Sequence, residues 1–339
     1  MTSIVLSSPP ELAPSRISTR QSGLLAPTIQ LAGHASEVLS TAFSPDGRSL
    51  ASAGIDREVF IWDVYNCGGE DAGKCISQKL SGHSAAVTQV QWVTSGKLLS
   101  CSGDSTVALW DVVTGKREKC FKAHSAVVNT CSAASLSPLA ATGSDDSWLR
   151  LWDLRLSVKT ANVSSSEHDY QILSVSMDAP GERVYAGTLD NRILEFDTRR
   201  MDSPQILGEL GDGVTGIDIS SDGNRLLSTS MDGAVCMWDI RAFCASGARL
   251  LHKFEDAVQN QDKMLQRIRW GMADAVFACG SSDGVLNIWN SRNLNLHCRL
   301  PGHSSSVNDV AFSPVERAVA CSASSDRTLI LGDYPIVCS

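Results

Sequence analysis

The feature that most constrains the fold of this chain is an aspartate that recurs every 42 to 51 residues. Six residues after each of these aspartates stands a Trp-Asp dipeptide or a weaker relative of it. The seven aspartates are Asp56, Asp104, Asp146, Asp190, Asp232, Asp283 and Asp326. Self-similarity at such a period is the signature of a repeat architecture. We therefore expect seven copies of one unit, rather than the two domains that a length of 339 residues would otherwise suggest.

Each unit has the residue pattern of short β-strands. In the first unit, apolar or β-branched runs occupy 38–44, 49–53, 59–64 and 75–80, and turn residues such as those at 44–47 separate them. Four short antiparallel strands that repeat radially form the blades of a β-propeller. The sequence therefore predicts an all-β chain with seven blades.

Three Gly-His dipeptides, at 33–34, 82–83 and 302–303, accompany the Trp-Asp dipeptides. Together these motifs resemble the WD40 repeat over residues 26–334. WD40 propellers close by pairing an N-terminal strand with the last blade. Because the seventh unit ends after its third strand, near Leu331, the resemblance implies that residues 28–31 supply the missing strand. A single propeller is thus predicted over 26–339, after a disordered tail over 1–25 that is rich in Ser, Pro and Thr.

The WD40 resemblance also implies a structural role for many polar side chains. In WD40 blades a Trp, a Ser or Thr, a His and an Asp form a hydrogen-bonded chain, and a buried member without its partner costs about 1–3 kcal/mol. Units four and six lack both the His and the hydroxyl, and unit five lacks the His. Complete sets, or in unit seven a set without the Trp, comprise His34, Ser52, Asp56, Trp62, His83, Ser100, Asp104, Trp110, His124, Thr142, Asp146, Trp152, His303, Ser322 and Asp326.

Composition and motif content argue against several classes of function. The net charge is −8 and no run of five Lys or Arg occurs, so any contact with RNA is expected to be indirect. No apolar stretch reaches the ~18–20 residues that cross a bilayer, so no membrane partner is expected. The chain has no C-x-x-C, H-E-x-x-H or P-loop motif, so neither a metal nor another cofactor is predicted. These features predict a protein that is not an enzyme.

The residues just before the turn aspartates are candidates for partner contacts. WD40 geometry implies that they ring one mouth of the central channel, where exposed apolar side chains indicate an interaction surface. Insertions are recognised at 65–74 and 255–267, and an interaction role is favoured only for the second. The candidate contacts are Ile55, Asp145, Leu189 and Met231, with Tyr170 near the fourth unit.

Five segments are closer to one branch of the WD40 family than to a generic repeat. This branch is the WD40 proteins of the U5 small nuclear ribonucleoprotein. The resemblance implies a non-catalytic scaffold in the nucleus that acts in pre-mRNA splicing. Its partners would be the very large scaffold protein and other proteins of that particle. The segments lie at 50–65, 141–155, 226–243, 300–314 and 322–334.

A second interpretation stays open. Three units end in the pattern W/F-D-x-R, which resembles the substrate receptors of cullin-type ubiquitin ligases. In that family Arg155, Arg199 and Arg241 would face the propeller-shaped adaptor. Ion pairs with nearby carboxylates on the blade rim, worth under about 1 kcal/mol each, would account for the same arginines.

Overall fold

The structure is a computed structural model that describes residues 22–66, 75–122, 124–243, 248–254, 258, 260 and 263–335. In this part of the chain, 28 β-strands form seven antiparallel sheets of four strands each. The innermost strands of successive sheets contact one another around a closed ring. The seven-bladed, all-β propeller predicted from the repeat is confirmed.

Each blade runs from an innermost strand at the channel to an outermost strand at the rim. Strand β1 (Thr28–Ala32) precedes the first blade. Blade 1 consists of β2 (Val38–Phe43), β3 (Ser49–Gly54), β4 (Glu58–Asp63) and β5 (Ile76–Ser81). Blade 2 consists of β6 (Val87–Thr94), β7 (Lys97–Ser102), β8 (Val107–Asp111) and β9 (Lys116–Phe121). Blade 3 consists of β10 (Val128–Ala133), β11 (Leu139–Ser144), β12 (Trp148–Asp153) and β13 (Asn162–Glu167).

The remaining blades follow the same order. Blade 4 consists of β14 (Ile172–Met177), β15 (Arg183–Thr188), β16 (Arg192–Asp197) and β17 (Arg200–Glu209). Blade 5 consists of β18 (Val214–Ile219), β19 (Arg225–Ser230), β20 (Val235–Asp239) and β21 (Leu250–Phe254). Blade 6 consists of β22 (Ile268–Trp270), a 3₁₀ turn (Met272–Asp274), β23 (Val276–Gly280), β24 (Val285–Asn290) and β25 (Leu296–Pro301). Blade 7 consists of β26 (Val307–Phe312), β27 (Val319–Ser324), β28 (Thr328–Asp333) and β1.

Strand β1 closes the ring. It pairs antiparallel with β28, with Ile29 opposite Leu331 and Leu31 opposite Leu329. All four of these side chains are buried, so the closure is packed as well as hydrogen-bonded. The closure implied by the WD40 resemblance is confirmed.

Residues 22–25, which the sequence assigns to the tail, contact blade 7. Ser22 Oγ donates to Asp333 Oδ2 (2.8 Å), and Leu24 is only 4% exposed. The rest of the predicted tail, residues 1–21, lies outside the described residues.

The core lies between adjacent blades, where the faces of neighbouring sheets pack together. Trp110 of blade 2, for example, packs in one cluster with Ile61 and Leu80 of blade 1. Several free cysteines are buried in the same way, and burial raises the pKa of the Cys279 and Cys321 thiols, so they behave as small apolar residues. No helix within the described ranges has the length and apolar character needed to cross a membrane.

The propeller has two faces, which we define by their loops. The upper face carries the turns between the second and third strands, such as 55–57, and the connections between blades, such as 33–37. The lower face carries the turns between the first and second strands, such as 44–48, and the connections between the third and fourth strands.

Candidate functional site

The polar residues grouped by the repeat form hydrogen-bonded chains near the upper face. In blade 2, Trp110 Nε1 donates to Ser100 Oγ (2.8 Å), which lies 2.8 Å from His83 Nε2. His83 Nδ1 in turn lies 3.0 Å from Asp104 Oδ2. Blades 1 and 3 contain the same chain, and blade 7 contains it without the Trp. Its members there are His34, Ser52, Asp56, Trp62, His124, Thr142, Asp146, Trp152, His303, Ser322 and Asp326.

The direction of donation is consistent with a neutral histidine. Because the Trp110 indole donates to Ser100, the hydroxyl can donate to His83 Nε2, and the Nδ1–H then donates to Asp104. Burial lowers the pKa of His83 despite the opposing effect of Asp104. Burial alone would raise the pKa of Asp104, but hydrogen bonds from Thr106 and other groups, His83 included, outweigh it and lower that pKa to about 2. Both ring nitrogens of His83 are engaged inside the blade, as in a structural network.

Blade 4 lacks this chain. Ala186 and Phe196 stand where blade 2 has Ser100 and Trp110. His168 packs its ring against Phe196 at 5.1 Å between centroids, and its buried Nε2 has no hydrogen-bond partner among the described residues. Burial lowers the pKa of His168.

Blade 5 keeps half of the chain. Trp238 Nε1 donates to Ser228 Oγ (2.8 Å), but no histidine follows. Leu210 occupies the backbone position in blade 5 that His168 occupies in blade 4. The N–H of Leu210 donates to the Asn191 carbonyl, and the N–H of His168 donates to the carbonyl of Ser147, which is the equivalent residue of the preceding blade.

The turn aspartate of blade 5 is therefore only half engaged. Asp232 Oδ1 accepts from Ser230 Oγ and from the Ala234 N–H. Its Oδ2 accepts no hydrogen bond from a described residue. The corresponding oxygen of Asp104 accepts from His83 and from the Ser84 N–H (2.9 Å).

A repeated backbone bond holds the predicted contact residues on the upper face. The N–H of the residue before the turn aspartate donates to the carbonyl of the connection that precedes the innermost strand. In this way Leu189 bonds to Gln171, and Met231 bonds to Gly213. The Leu189 side chain also lies against Gly213, which brings blades 4 and 5 together at this point.

Three of the candidate contacts form one surface. Tyr170 is 49% exposed, Leu189 is 37% exposed and Met231 is partly buried. They lie on adjacent loops of blades 4 and 5, and we call these three residues the 4–5 patch.

The other two candidate contacts lie elsewhere. Ile55 is 43% exposed but belongs to blade 1, on the other side of the channel. Asp145 belongs to blade 3, is partly buried, and accepts from Asn129 Nδ2 (2.7 Å). The same amide donates to the Ile172 carbonyl (3.0 Å), so Asp145 positions a link between blades 3 and 4.

An arginine that the sequence analysis did not single out lies in the channel. Arg267, the last residue of the insertion at 255–267, is 6% exposed. Its guanidinium donates to the carbonyls of Leu39 (3.0 Å), Thr88 (3.0 Å) and Asn129 (3.1 Å), in the innermost strands of blades 1, 2 and 3. A side chain at the entry to blade 6 thus crosses the channel and joins the opposite side of the ring. The available signal in the sequence was the pair of arginines, Arg267 and Arg269, on either side of Ile268.

Other polar side chains of the innermost strands also join successive blades. Asp309 Oδ2 of blade 7 accepts from Ser40 Oγ of blade 1 (2.8 Å). Asp218 Oδ2 of blade 5 accepts from the Trp270 N–H of blade 6 (2.7 Å), and burial raises the pKa of Asp218 to about 6. The channel is therefore lined by residues that stabilise the ring.

The three arginines of the W/F-D-x-R pattern lie on the lower face. Arg155 pairs with Asp153 (2.7 Å) and Arg241 pairs with Asp239 (2.5 Å), each with the aspartate of its own motif. Arg199 pairs with Glu182 (2.9 Å). Their side chains are 73%, 56% and 76% exposed, so the guanidinium groups face solvent.

The two insertions are only partly described. In the first, residues 67–74 lie outside the described residues. In the second, residues 258, 260 and 263–267 are described, and Lys263 Nζ pairs with Asp212 on the upper face (2.9 Å). Among the described residues, no group of three or more His, Cys, Asp or Glu side chains is placed to hold a metal ion.

Comparison with known proteins agrees with this geometry. The family model described as WD domain, G-beta repeat matches residues 25–63, 73–111, 115–153, 205–239 and 294–333. The two longest stretches between these matches, 154–204 and 240–293, contain most of blades 4 and 6, the two blades that have Ala186 and Cys279 in place of the hydroxyl.

Proteins similar over 93% of the chain are named as U5 small nuclear ribonucleoprotein or pre-mRNA-splicing proteins. The chain is 36% identical to the U5 small nuclear ribonucleoprotein 40 kDa protein of Dictyostelium discoideum, over 93% of this chain and 86% of that protein. It is 39% identical to the Homo sapiens protein of the same name, over 93% and 85%. It is 34% identical to the pre-mRNA-splicing factor cwf17 of Schizosaccharomyces pombe, over 93% and 89%.

Proposed function

The chain belongs to the WD40 repeat family, and from this premise we propose that it is a non-catalytic protein-interaction scaffold of the U5 small nuclear ribonucleoprotein that acts in pre-mRNA splicing. The observation that carries the proposal is identity of 34–39% to splicing proteins over 93% of the chain. Similarity at this level spans every blade, including those in which the generic repeat is weak. The nucleus is the compartment that this function requires.

The charge and the histidines support a role in binding proteins rather than in catalysis. With a net charge of −8, the chain is poorly suited to neutralise phosphates, so contact with RNA would pass through its neighbours. Four of the seven histidines, His34, His83, His124 and His303, are engaged in the structural chains. No cofactor is needed for such a role.

The partner proposed for this scaffold is the very large scaffold protein of the particle, bound at the upper face. The 4–5 patch supports this choice because it places exposed apolar side chains of adjacent blades together. Ile55 would be a separate contact across the channel.

A pull-down of the tagged chain from nuclear extract tests the proposal. We expect recovery of the U5 RNA together with the very large scaffold protein. Leu189→Asp/Met231→Asp should lose both. The matched control Val113→Asp/Leu136→Asp, at lower-face positions that are 84% and 78% exposed, should keep both. Recovery of neither by the folded wild-type chain would contradict the proposal.

The same experiment tests the ubiquitin-ligase alternative. The observation that favours it is the exposure of Arg155, Arg199 and Arg241 on the lower face, where surface ion pairs hold them by only about 0–1 kcal/mol each. Recovery of a cullin and its adaptor without U5 RNA, lost on charge reversal of Arg199 and Arg241, would favour that function instead.

A further inference from the structure

The turn aspartates differ in what their second oxygen binds. In blades 1, 2, 3 and 7, which keep the histidine, this oxygen accepts from the His ring and from a backbone N–H. The aspartates of these blades are Asp56, Asp104, Asp146 and Asp326. Where no histidine bonds to the turn aspartate, Asp190 pairs with Arg192 (3.3 Å) and Asp283 pairs with Arg299 (3.1 Å). Asp232 has neither kind of partner among the described residues. Its free oxygen lies over Gly211, where a Cβ would approach it to 2.3 Å, so the glycine leaves room for the carboxylate.

The upper-face loops of blades 4 and 5 are acidic. Asp169, Asp190, Asp212 and Asp232 lie in these loops. The two cations beside them are already paired, Arg192 with Asp190 and Lys263 with Asp212. Asp169 is exposed and, like Asp232, forms no ion pair with a described residue. Two carboxylates are therefore available to a partner.

These carboxylates border the 4–5 patch. Asp169 precedes Tyr170 directly, and Asp232 follows Met231 directly. The surface thus combines exposed apolar side chains with unpaired negative charge. Its electrostatic complement is a segment that carries both apolar and positively charged side chains, and a nucleic acid backbone would be repelled.

We propose that the 4–5 patch binds a basic, apolar-containing segment of a partner protein, whose Lys or Arg side chains are received by Asp232 and Asp169. Because blade 5 has no histidine to bond to Asp232, this carboxylate can bind a basic side chain of the partner protein instead. This inference rests on the proposed function for the identity of the partner, but not for the chemistry of the segment.

Photocrosslinking from the patch tests the chemistry directly. The full chain, with Tyr170 replaced by p-benzoylphenylalanine, is irradiated in nuclear extract and the crosslinked segment is identified by mass spectrometry. We expect a protein segment with Lys or Arg within a few residues of an apolar side chain. The same replacement at Phe243, which is 93% exposed beyond the lower-face end of β20, should label different sequences. Crosslinks to RNA, to segments without basic residues, or to nothing would overturn the proposal.

A peptide that reproduces the crosslinked segment then tests the two carboxylates. Asp169→Asn/Asp232→Asn should weaken its binding by about tenfold or more, and salt should weaken binding to the wild type more than to this variant. The control Asp111→Asn/Asp202→Asn removes the same number of negative charges away from the patch. Asp111 lies at the lower-face end of β8, and Asp202 lies on the outermost strand of blade 4. This control should bind the peptide as the wild type does. Equal binding by all three proteins would overturn the proposal. A basic segment from a protein outside the U5 particle would support this inference while contradicting the proposed function.

Discussion

Blades 1–3 and blades 4–5 are built on the same strand plan but use their polar residues differently. In blades 1–3 the turn aspartate, the histidine, the hydroxyl and the tryptophan bond to one another inside the blade. In blade 4 the hydroxyl and tryptophan are replaced by Ala186 and Phe196, and in blade 5 Leu210 stands in the position of the histidine. The difference shows that a propeller can lose the hydrogen-bonded Trp–Ser/Thr–His–Asp series in some blades while the other blades keep the fold stable. The released polar groups can then face a partner.

The largest effect should come from breaking the link between these two sides of the ring. Arg267→Met removes the donors of three carbonyls in blades 1–3, of which that of Asn129 is buried and those of Leu39 and Thr88 are partly buried. A buried carbonyl left without a donor costs about 1–3 kcal/mol. We expect the free energy of unfolding to fall by about 3–6 kcal/mol, measured by urea denaturation. Arg292→Met, at an exposed position, is the control and should change it by less than about 0.5 kcal/mol. An unchanged urea midpoint for Arg267→Met would mean that the arginine lies in the channel but does not stabilise the ring.

The two turn aspartates give the most direct comparison. Asp104→Ala removes acceptors from His83, Thr106 and the Ser84 N–H, and should lower the free energy of unfolding by about 2–4 kcal/mol. Asp232→Ala removes only local bonds to Ser230 and the Ala234 N–H, and should cost less than about 1 kcal/mol. Thermal or urea unfolding of the two variants side by side decides the matter. Equal losses would remove the distinction between an internal and an available aspartate.

These expectations begin from features that the sequence alone provides. The spacing of the turn aspartates predicts the number of blades, because each lies at the same turn of the same four-stranded sheet. The ring closure follows once Leu331 is recognised as the end of a third strand. Strand positions are predictable because each strand is short, apolar and bounded by turn residues.

Other features depend on contacts between residues far apart in sequence. Arg267 reaches Leu39 across the channel, and no periodic pattern predicts which way a single side chain crosses a ring. Leu24 packs on blade 7 from a stretch whose composition is otherwise that of a tail. Ile55 and Leu189 occupy equivalent positions in their repeats. Ile55 lies apart from the 4–5 patch because blade 1 and blade 4 are on different sides of the ring.

Acid should weaken the blades that keep the histidine. Burial lowers the pKa of His83 and His124, so these side chains are neutral in the folded protein at pH values where the unfolded chain already binds protons. Their contribution to stability is therefore complete above the ordinary pKa of about 6.5 and is lost as the pH falls towards the lowered value. We expect the free energy of unfolding to decrease below pH 6.5, by at most about 1.4 kcal/mol per pH unit for each histidine.

Urea denaturation of the wild type and His83→Asn from pH 7.5 to pH 5.5, a range chosen to span the ordinary pKa of about 6.5, measures this dependence. The variant should be less stable at every pH but should show a shallower slope, because one titrating group is gone. Parallel slopes would mean that His83 takes up its proton equally in both states, contrary to its burial.

The smallest predicted effect asks whether blade 4 can be returned to the type of blades 1–3. Ala186 is fully buried and occupies the strand position of Ser100, and the nearby His168 has a buried Nε2 without a partner among the described residues. Ala186→Ser should supply the missing hydroxyl and raise the free energy of unfolding by about 1 kcal/mol. Ala278→Ser places the same hydroxyl in an apolar cluster with Val276 and should lower it instead. If both substitutions destabilise the protein equally, His168 is not placed as His83 is, and blade 4 has departed from the repeat by more than one side chain.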